Sequence, residues 1–505
     1  MSTVPAFSPT LISKSTVFPT QNSTLPNLRL SVSDLPMLSC QYIQKGVLLT
    51  RPSLPSDALI SILRRGLSET LSHFPPLAGR LTTDPAGHIH ISCNDAGVDF
   101  VHANAGNLTL FDVLSPVHVP DSVKGFFSFS FDGVVSYDGH FRPLLAVQVT
   151  ELADSVFIGC AVNHAVIDGT SFWNFFNAFA EVCRGARWIS RLPDFRRNFF
   201  GESTAVLRFP DGAPTAKFSG DGPLRERMFH FSREAILELK SQANGRKQLG
   251  DNGVHVAEMM RKESHDDPRI SNGKITSVLQ CLPQSSLWKH QDPQAVVDRR
   301  AEISSFQALC AQLWRSITRA RKLPAAADTT FRMAVNCRHR IEPRVNALYF
   351  GNAIQSIPTV TSVGEVLSQD LKWCAGLLNK SIAAHGDANV RRVVEDWERD
   401  PKCFPLGNFE GASITMGSSA RFPMYDNDFG WGPPVAVRSG RANKFDGKIS
   451  AFPGREGGGS VELEVCLKPD TICALEADTE FMQYVTRTGV GNGHVRRFVL
   501  FPKID

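Results

Sequence analysis

The sequence predicts a mixed α/β chain in two halves, and three observations predict it. Short apolar runs rich in β-branched residues occur in both halves, bounded by polar breaks. Longer segments of helical periodicity alternate with them on both sides. Between the halves the pattern dissolves: Pro193, Pro210, Pro214 and Pro223 punctuate residues 188–223, and 244–300 are polar and aperiodic. The expected organisation is a first domain over 1–205, a crossover with a partly disordered excursion over 206–300, and a second domain over 301–505.

In chain order, Leu28–Ser33 alternates as a strand does, and Asp34 leads into a Leu35-Pro36 turn. Ser56–Ser72 reads as a helix because Leu59, Ile60, Leu63, Leu67 and Leu71 share a face. Pro75 and Pro76 break it. Strands follow at His88–Cys93 and Val98–Val101, and 110–140 is loop-rich. Leu144–Thr150 and Val156–Val162 read as a buried hairpin. A helix starts at about Gly169, with Phe172, Phe175, Phe176, Phe179 and Cys183 at helical spacing, and Gly185 is placed to end it.

Beyond the connector, Met228–Phe231 is a strand, and Ser232 caps a helix running to about Ala243. Ser304 or Ser305 caps a helix carrying Phe306, Leu309, Cys310, Leu313, Trp314 and Ile317. Phe331–Asn336, Ser413–Met416 and Ser460–Cys466 are expected strands, while Val363–Leu378 and Asp470–Val485 are expected helices. Asp428–Pro434 is a rigid turn in which glycines permit unusual backbone angles.

The chemistry concentrates at Cys160–Thr170. His164 sits just past a buried strand, where a following turn and helix can hold an imidazole at the mouth of a cleft. Imidazole titrates near neutrality and can take a proton from an attacking hydroxyl or amine, provided it is neutral and fixed in orientation. Asp168, four residues on, can fix the turn, pair with an arginine or bond the imidazole, and the spacing does not choose. A histidine at a strand end is also a common structural feature.

Composition excludes several classes. With 505 residues, 54 basic and 50 acidic, the net charge of +4 is too balanced for a nucleic-acid surface. No apolar run is long enough to span a membrane. The eleven cysteines are scattered without a CxxC pair, which argues against zinc ribbons and for a reducing, cytoplasmic setting. The first thirty residues lack Asp and Glu, as transit peptides do, but with only Lys14 and Arg29 basic they read as a tail and a first strand. No HExxH or EF-hand spacing appears, so no metal is expected. Gly457-Gly458-Gly459 precedes a strand, so it is not a phosphate loop.

Three motifs now stand together: His164-x-x-x-Asp168-Gly169, Leu348-Tyr349-Phe350-Gly351-Asn352 and Asp428-Phe429-Gly430-Trp431-Gly432. In this order and at these separations they resemble the plant BAHD acyltransferases, over most of residues 20–485. Pro76–Leu81, Cys93–Val98 and Leu313–Arg315 agree. Condensation domains share the first motif but usually pair its histidine with another, where this chain has Asn163.

The resemblance implies two chloramphenicol-acetyltransferase-like domains with mixed sheets, a long crossover and an active-site channel between them. It implies acyl transfer from an acyl-CoA to a hydroxyl or amine of a specialised metabolite or lipid precursor. His164 would be the general base, and no acyl-enzyme and no bound cofactor are implied. It implies an ion pair of Asp168 with an arginine, for which Arg338 is the candidate. Asp428 joins His164 as a candidate acid–base residue by family analogy, although holding the loop through Gly430, Trp431 and Gly432 is the physically preferred role. For the CoA phosphates the candidates are Ser304 and Ser305 at a helix start, and Arg441 and Lys444 within the basic run Arg438, Arg441, Lys444, Lys448 and Arg455. A monomer with small-molecule partners is expected.

The chain departs from the family at Gly417–Phe422, where many hydroxycinnamoyl-transferring members have a tryptophan, and at Ala353, where the anthocyanin malonyl branch has Cys. The phrases Asn443–Gly447 and Pro453–Ser460 resemble a branch that includes a cutin-associated member. Two competing readings are an elimination using the same histidine and a ligand-binding protein without turnover.

Overall fold

Two six-stranded mixed sheets carry the chain, each covered by helices. The structure, a computed structural model, describes residues 8–486 apart from 131–132, 198, 202, 210–211, 213, 215–221, 246–301, 406 and 418. The excursion expected over 244–300 therefore lies almost wholly outside the described residues.

The strands are β1 (Thr10–Val17), β2 (Leu28–Arg29), β3 (Ile43–Thr50), β4 (Arg80–Thr83), β5 (Ile89–Ser92), β6 (Val98–Ala105), β7 (Leu145–Leu152), β8 (Ser155–Val162), β9 (Arg225–Phe231), β10 (Asp328–Asn336), β11 (Ile354–Ser362), β12 (Ile414–Met416), β13 (Ala436–Ser439), β14 (Lys448–Pro453) and β15 (Val461–Leu467). The first sheet runs β1-β6-β7-β8-β3-β13 and the second β11-β10-β12-β14-β15-β9, with β2, β5 and β4 in a small third sheet. β7 and β8 form the expected hairpin and are buried at every position, as a strand covered on both faces requires. The helices Ser56–His73 and Gly169–Cys183 pack on one face of that sheet, while Val123, Phe126 and Phe127 close the other. The second sheet is covered by Arg233–Ala243, Ser305–Arg321 and Leu371–Ala384.

The sheets do not follow the boundaries expected from the connector. β9, assigned to the crossover, is the edge strand of the second sheet beside β15. β13, assigned to the second half, pairs with β3 in the first. The crossover thus supplies a strand to the second sheet, and the second half lends one to the first. Periodicity could not reveal this, because it reports which face is buried and not which neighbour supplies the hydrogen bonds.

Smaller corrections have local causes. Leu28–Ser33 keeps only two strand residues, because the Asp34 carboxylate takes Ser31 N–H at 2.8 Å and turns the chain into the short helix Leu35–Ser39. The helix expected over Val363–Leu378 divides where Asp370 accepts from Trp373 N–H at 2.8 Å and starts a new helix. The last helix divides at Asp478, another cap. β3, next to β8, was missed because Lys45 and Gly46 interrupt its apolar alternation. The helix Asp387–Arg399 was missed in a charged stretch.

Candidate active site

Strand β8 ends at Val162, and the next residues are held from several directions. Asn163 donates from Nδ2 to Ser136 O at 2.7 Å and accepts from Ala165 N–H at 3.0 Å, a local turn built by a side chain. The His164 N–H donates to Ser136 Oγ at 3.0 Å, and its carbonyl accepts from Asn352 Nδ2 at 2.8 Å. Both backbone groups of His164 are thereby tied to other segments. The residue keeps partial exposure, so it is not sealed in a core.

Burial pushes the His164 pKa below its usual 6.5, and the Lys448 charge adds to that effect. The carbonyls of His164 and Ile167 and the charge of Asp168 act the other way and are outweighed. Nδ1 is buried and makes no hydrogen bond of good geometry. Nearby carbonyls favour the protonated ring, but burial outweighs them and biases the imidazole toward the neutral form that a base requires.

Asp168 faces away from this task. Its two oxygens accept from Arg338 Nη1 at 2.6 Å and Nη2 at 3.1 Å, from Ser171 N–H at 3.0 Å and from Ala353 N–H at 3.1 Å. Both side chains of the pair are 0% exposed. Burial raises the Asp168 pKa, but the Arg338 charge and the hydrogen bonds outweigh it and hold the carboxyl below its ordinary value. Asp168 also caps the helix Gly169–Cys183. Arg338 Nη2 reaches the carbonyls of Tyr349 and Gly351 at 3.0 and 3.2 Å, binding the Leu348–Asn352 motif to the same knot. Gly169 is required by space: a Cβ there would stand 2.9 Å from the Phe422 ring.

A second buried carboxylate supports the other side. Asp34, fully buried, accepts from Asn352 N–H and Nδ2 at 2.9 and 3.0 Å and pairs with Arg197. Asn352 thus links Asp34 to the His164 carbonyl. Sequence reasoning quoted Asn352 within a motif without assigning it a role. It read Asp34 only as the entry to a turn and assigned no role to Ser136 or Arg197; the partners of these residues at the site lie 28 to 318 residues away.

Asp428 is elsewhere. Its Oδ1 accepts from the N–H groups of Gly430, Trp431 and Gly432 at 2.7, 3.1 and 3.0 Å. Gly430 and Gly432 take φ values of +99° and +96°, which any side chain resists. Phe429 packs on Phe176 and Phe179, and Trp431 stacks on Phe429. Arg184 Nη1 donates to Asp428 O at 2.7 Å, and a Cβ on Gly430 would lie 3.6 Å from Arg184 Cα. The loop therefore sits at the far end of the helix that begins beside His164, roughly 20 Å along its axis. Asp428 holds that loop and is out of reach of a proton shared with His164, which corrects its place among the acid–base candidates.

The basic run also divides. Lys444 is buried between Glu226, at 2.8 Å, and Glu464, so it has no charge to offer a phosphate. Arg438 is buried and donates to the Val437 carbonyl. Lys448 turns inward, while Arg441 is exposed. Arg438 lies on β13 of the first sheet and Lys448 on β14 of the second, with Arg441, Lys444 and Arg455 in the loops around them, so eighteen residues of sequence do not make one patch. Ser304 caps its helix by accepting from Gln307 N–H, and Gln307 Oε1 accepts from Ser304 N–H in return; Ser305 follows as the first helical residue. Among the described residues no cluster of His, Cys, Asp and Glu can hold a metal. A cavity of about 750 Å³ is lined by Leu28, Arg29, Asp194, Arg197 and Ser203 among others, and His164 does not line it.

Known proteins share this architecture. The sequence profile of the Transferase family matches residues 7–482. An uncharacterized acetyltransferase of Arabidopsis thaliana is 32% identical over 472 residues, 90% of this chain and 94% of the relative. The BAHD acyltransferase DCR of the same plant is 31% identical over 497 residues, 92% of each chain. Among solved structures, vinorine synthase superposes with a TM-score of 0.68 at 21% identity, covering 94% of this chain and 98% of its own, a likeness of fold. The chain belongs to the Transferase family, as one of its BAHD acyltransferases.

Proposed function

We propose that the protein transfers an acyl group from an acyl-CoA to a hydroxyl or amine of a small metabolite or lipid precursor, with His164 as general base. The observation that carries this reading is a partly exposed imidazole, biased to its neutral form by burial, with both backbone groups tied down. In the reaction, Nε2 takes the acceptor's proton as its oxygen or nitrogen attacks the thioester carbonyl. The C–S bond breaks, and the imidazolium returns the proton to the departing thiolate, giving ester or amide and free CoA. A direct transfer fits the surroundings. Cys160, the nearest cysteine in sequence, is fully buried, and burial raises its thiol well above the usual range, which makes it a poor nucleophile.

Donor and acceptor would meet in a passage between the two sheets, Asp168–Arg338 and the Asp428 loop serving as scaffold. The phosphates of CoA would have Arg441, and not Lys444, from the basic run. We further place the protein in the cytoplasm as a monomer. Ten cysteines among the described residues are free thiols, as in a reducing compartment, and no described helix is long and apolar enough to cross a membrane. The test is release of free thiol on mixing the purified chain with acyl-CoA and acceptor, with the acylated product identified by mass. Turnover of an acceptor without CoA would instead favour elimination, and binding without turnover a non-catalytic role.

A further inference from the structure

Three lysines, Lys45, Lys444 and Lys448, converge from the two sheets, and two carboxylates, Glu226 and Glu464, face them. Both carboxylates are within ion-pair distance of Lys444. Lys45 has no carboxylate within ion-pair distance among the described residues; its Nζ donates to Ser439 Oγ at 2.7 Å and lies 4.7 Å from the centre of the Phe452 ring. Lys448 has less: among the described residues its ammonium has no hydrogen bond or ion pair, and the Phe445 ring centre lies 5.8 Å away. Both residues keep partial exposure. The charge of Lys448 is felt at Lys45 and at His164, so the three groups share one electrostatic neighbourhood.

The chain makes room for this ammonium. A Cβ on Gly417 would lie 2.0 Å from Lys448 Nζ, so any larger residue there displaces the head group. Burial, with Lys444 adding its charge, pushes Lys45 down to about 7 and Lys448 to about 8. Two amines without an ion-pair partner among the described residues, one of them within electrostatic reach of the catalytic base, are short of an anion.

We propose that Lys448, assisted by Lys45, forms a carboxylate-binding subsite beside His164, so that one co-substrate carries a carboxylate that docks there. The subsite deepens the acyl-transfer reading and rests on it for its purpose, but its existence is tested without turnover. Calorimetric titration of the full chain with sodium succinate, at constant ionic strength set with sodium chloride, should show binding. Lys448→Met should weaken it at least about tenfold, the loss of a charge-assisted hydrogen bond. Gly417→Ala, which keeps the charge but moves it, should also weaken it. Thermal melts of both variants check that they fold. No succinate binding by the wild type, or equal binding by a folded Lys448→Met, overturns the proposal.

Paired co-substrates then locate the carboxylate: succinyl-CoA against its methyl ester, and hydroxy-acid acceptors against their methyl esters. In one pair the acid should be preferred by the wild type, with the preference lost in Lys448→Met. Absence of such a preference in both pairs overturns the assignment to a co-substrate. Failure of all acyl transfer with succinate binding intact would count against the proposed reaction and leave the subsite standing.

Discussion

Two buried charged clusters are felt at His164, and they are wired in opposite ways. Around Asp168 and Arg338 each carboxylate oxygen has at least two donors, and the guanidinium reaches two other segments of chain, at Asp168 and at Tyr349–Gly351. Around Lys45 and Lys448 two of three ammonium groups lack a carboxylate. The difference teaches how to separate scaffold from site. A satisfied buried ion pair returns its desolvation cost within the fold, so removing one partner harms stability. An unsatisfied charge is a cost the fold carries, so removing it should harm only what binds there.

The sharpest break in the comparison is His164 itself, which both clusters influence. His164→Ala should lower the rate of thiol release by about 10²- to 10⁴-fold while its melting curve stays near that of the wild type. Unchanged turnover would end the general-base assignment. Asp168→Ala should do the reverse, costing about 3–5 kcal/mol in denaturant unfolding, because Arg338 is left buried and alone. A soluble variant of normal stability but no activity would show that the carboxylate acts on the chemistry.

Asp428→Ala should be milder. Three N–H groups of a partly exposed loop lose their acceptor, at a cost of about 1–3 kcal/mol. Any loss of kcat should leave the shape of the pH–rate profile untouched, since the residue is far from the reacting proton. Two pH effects are opposite in origin. The His164 pKa is lowered, so the acid limb of kcat/KM should fall below pH 6.5. The Asp168 pKa is also lowered, so its contribution to stability is complete above its ordinary value of 3.8 and fades as pH falls through the folded value. Acid unfolding of the wild type should thus lie well below the pH at which activity is lost. The smallest loss of stability is expected for Lys448→Met, which should melt at or above the wild type because it removes a charge that burial disfavours. A large loss there would turn the lysine cluster into scaffold and erase the contrast.

Much of the frame was legible because local patterns carry it. The β7–β8 hairpin, the helix from Gly169 and the Ser232 and Ser304 caps follow from period, β-branching and short-range hydrogen bonding. So did the choice of His164, and the glycines that its companion loop needs at Gly430 and Gly432. By itself the sequence determined the central strands and helices whose period is regular, and that an imidazole stands at a strand end. Only the tertiary structure decided that β9 and β13 change sheets, that Asp428 stands a helix length from the base, and that Lys444 is neutralised while Lys448 is not. The reason is one of range: propensity and periodicity act over a few residues, whereas charge pairing and strand neighbours join positions hundreds of residues apart, and their outcome exists only once the chain has packed.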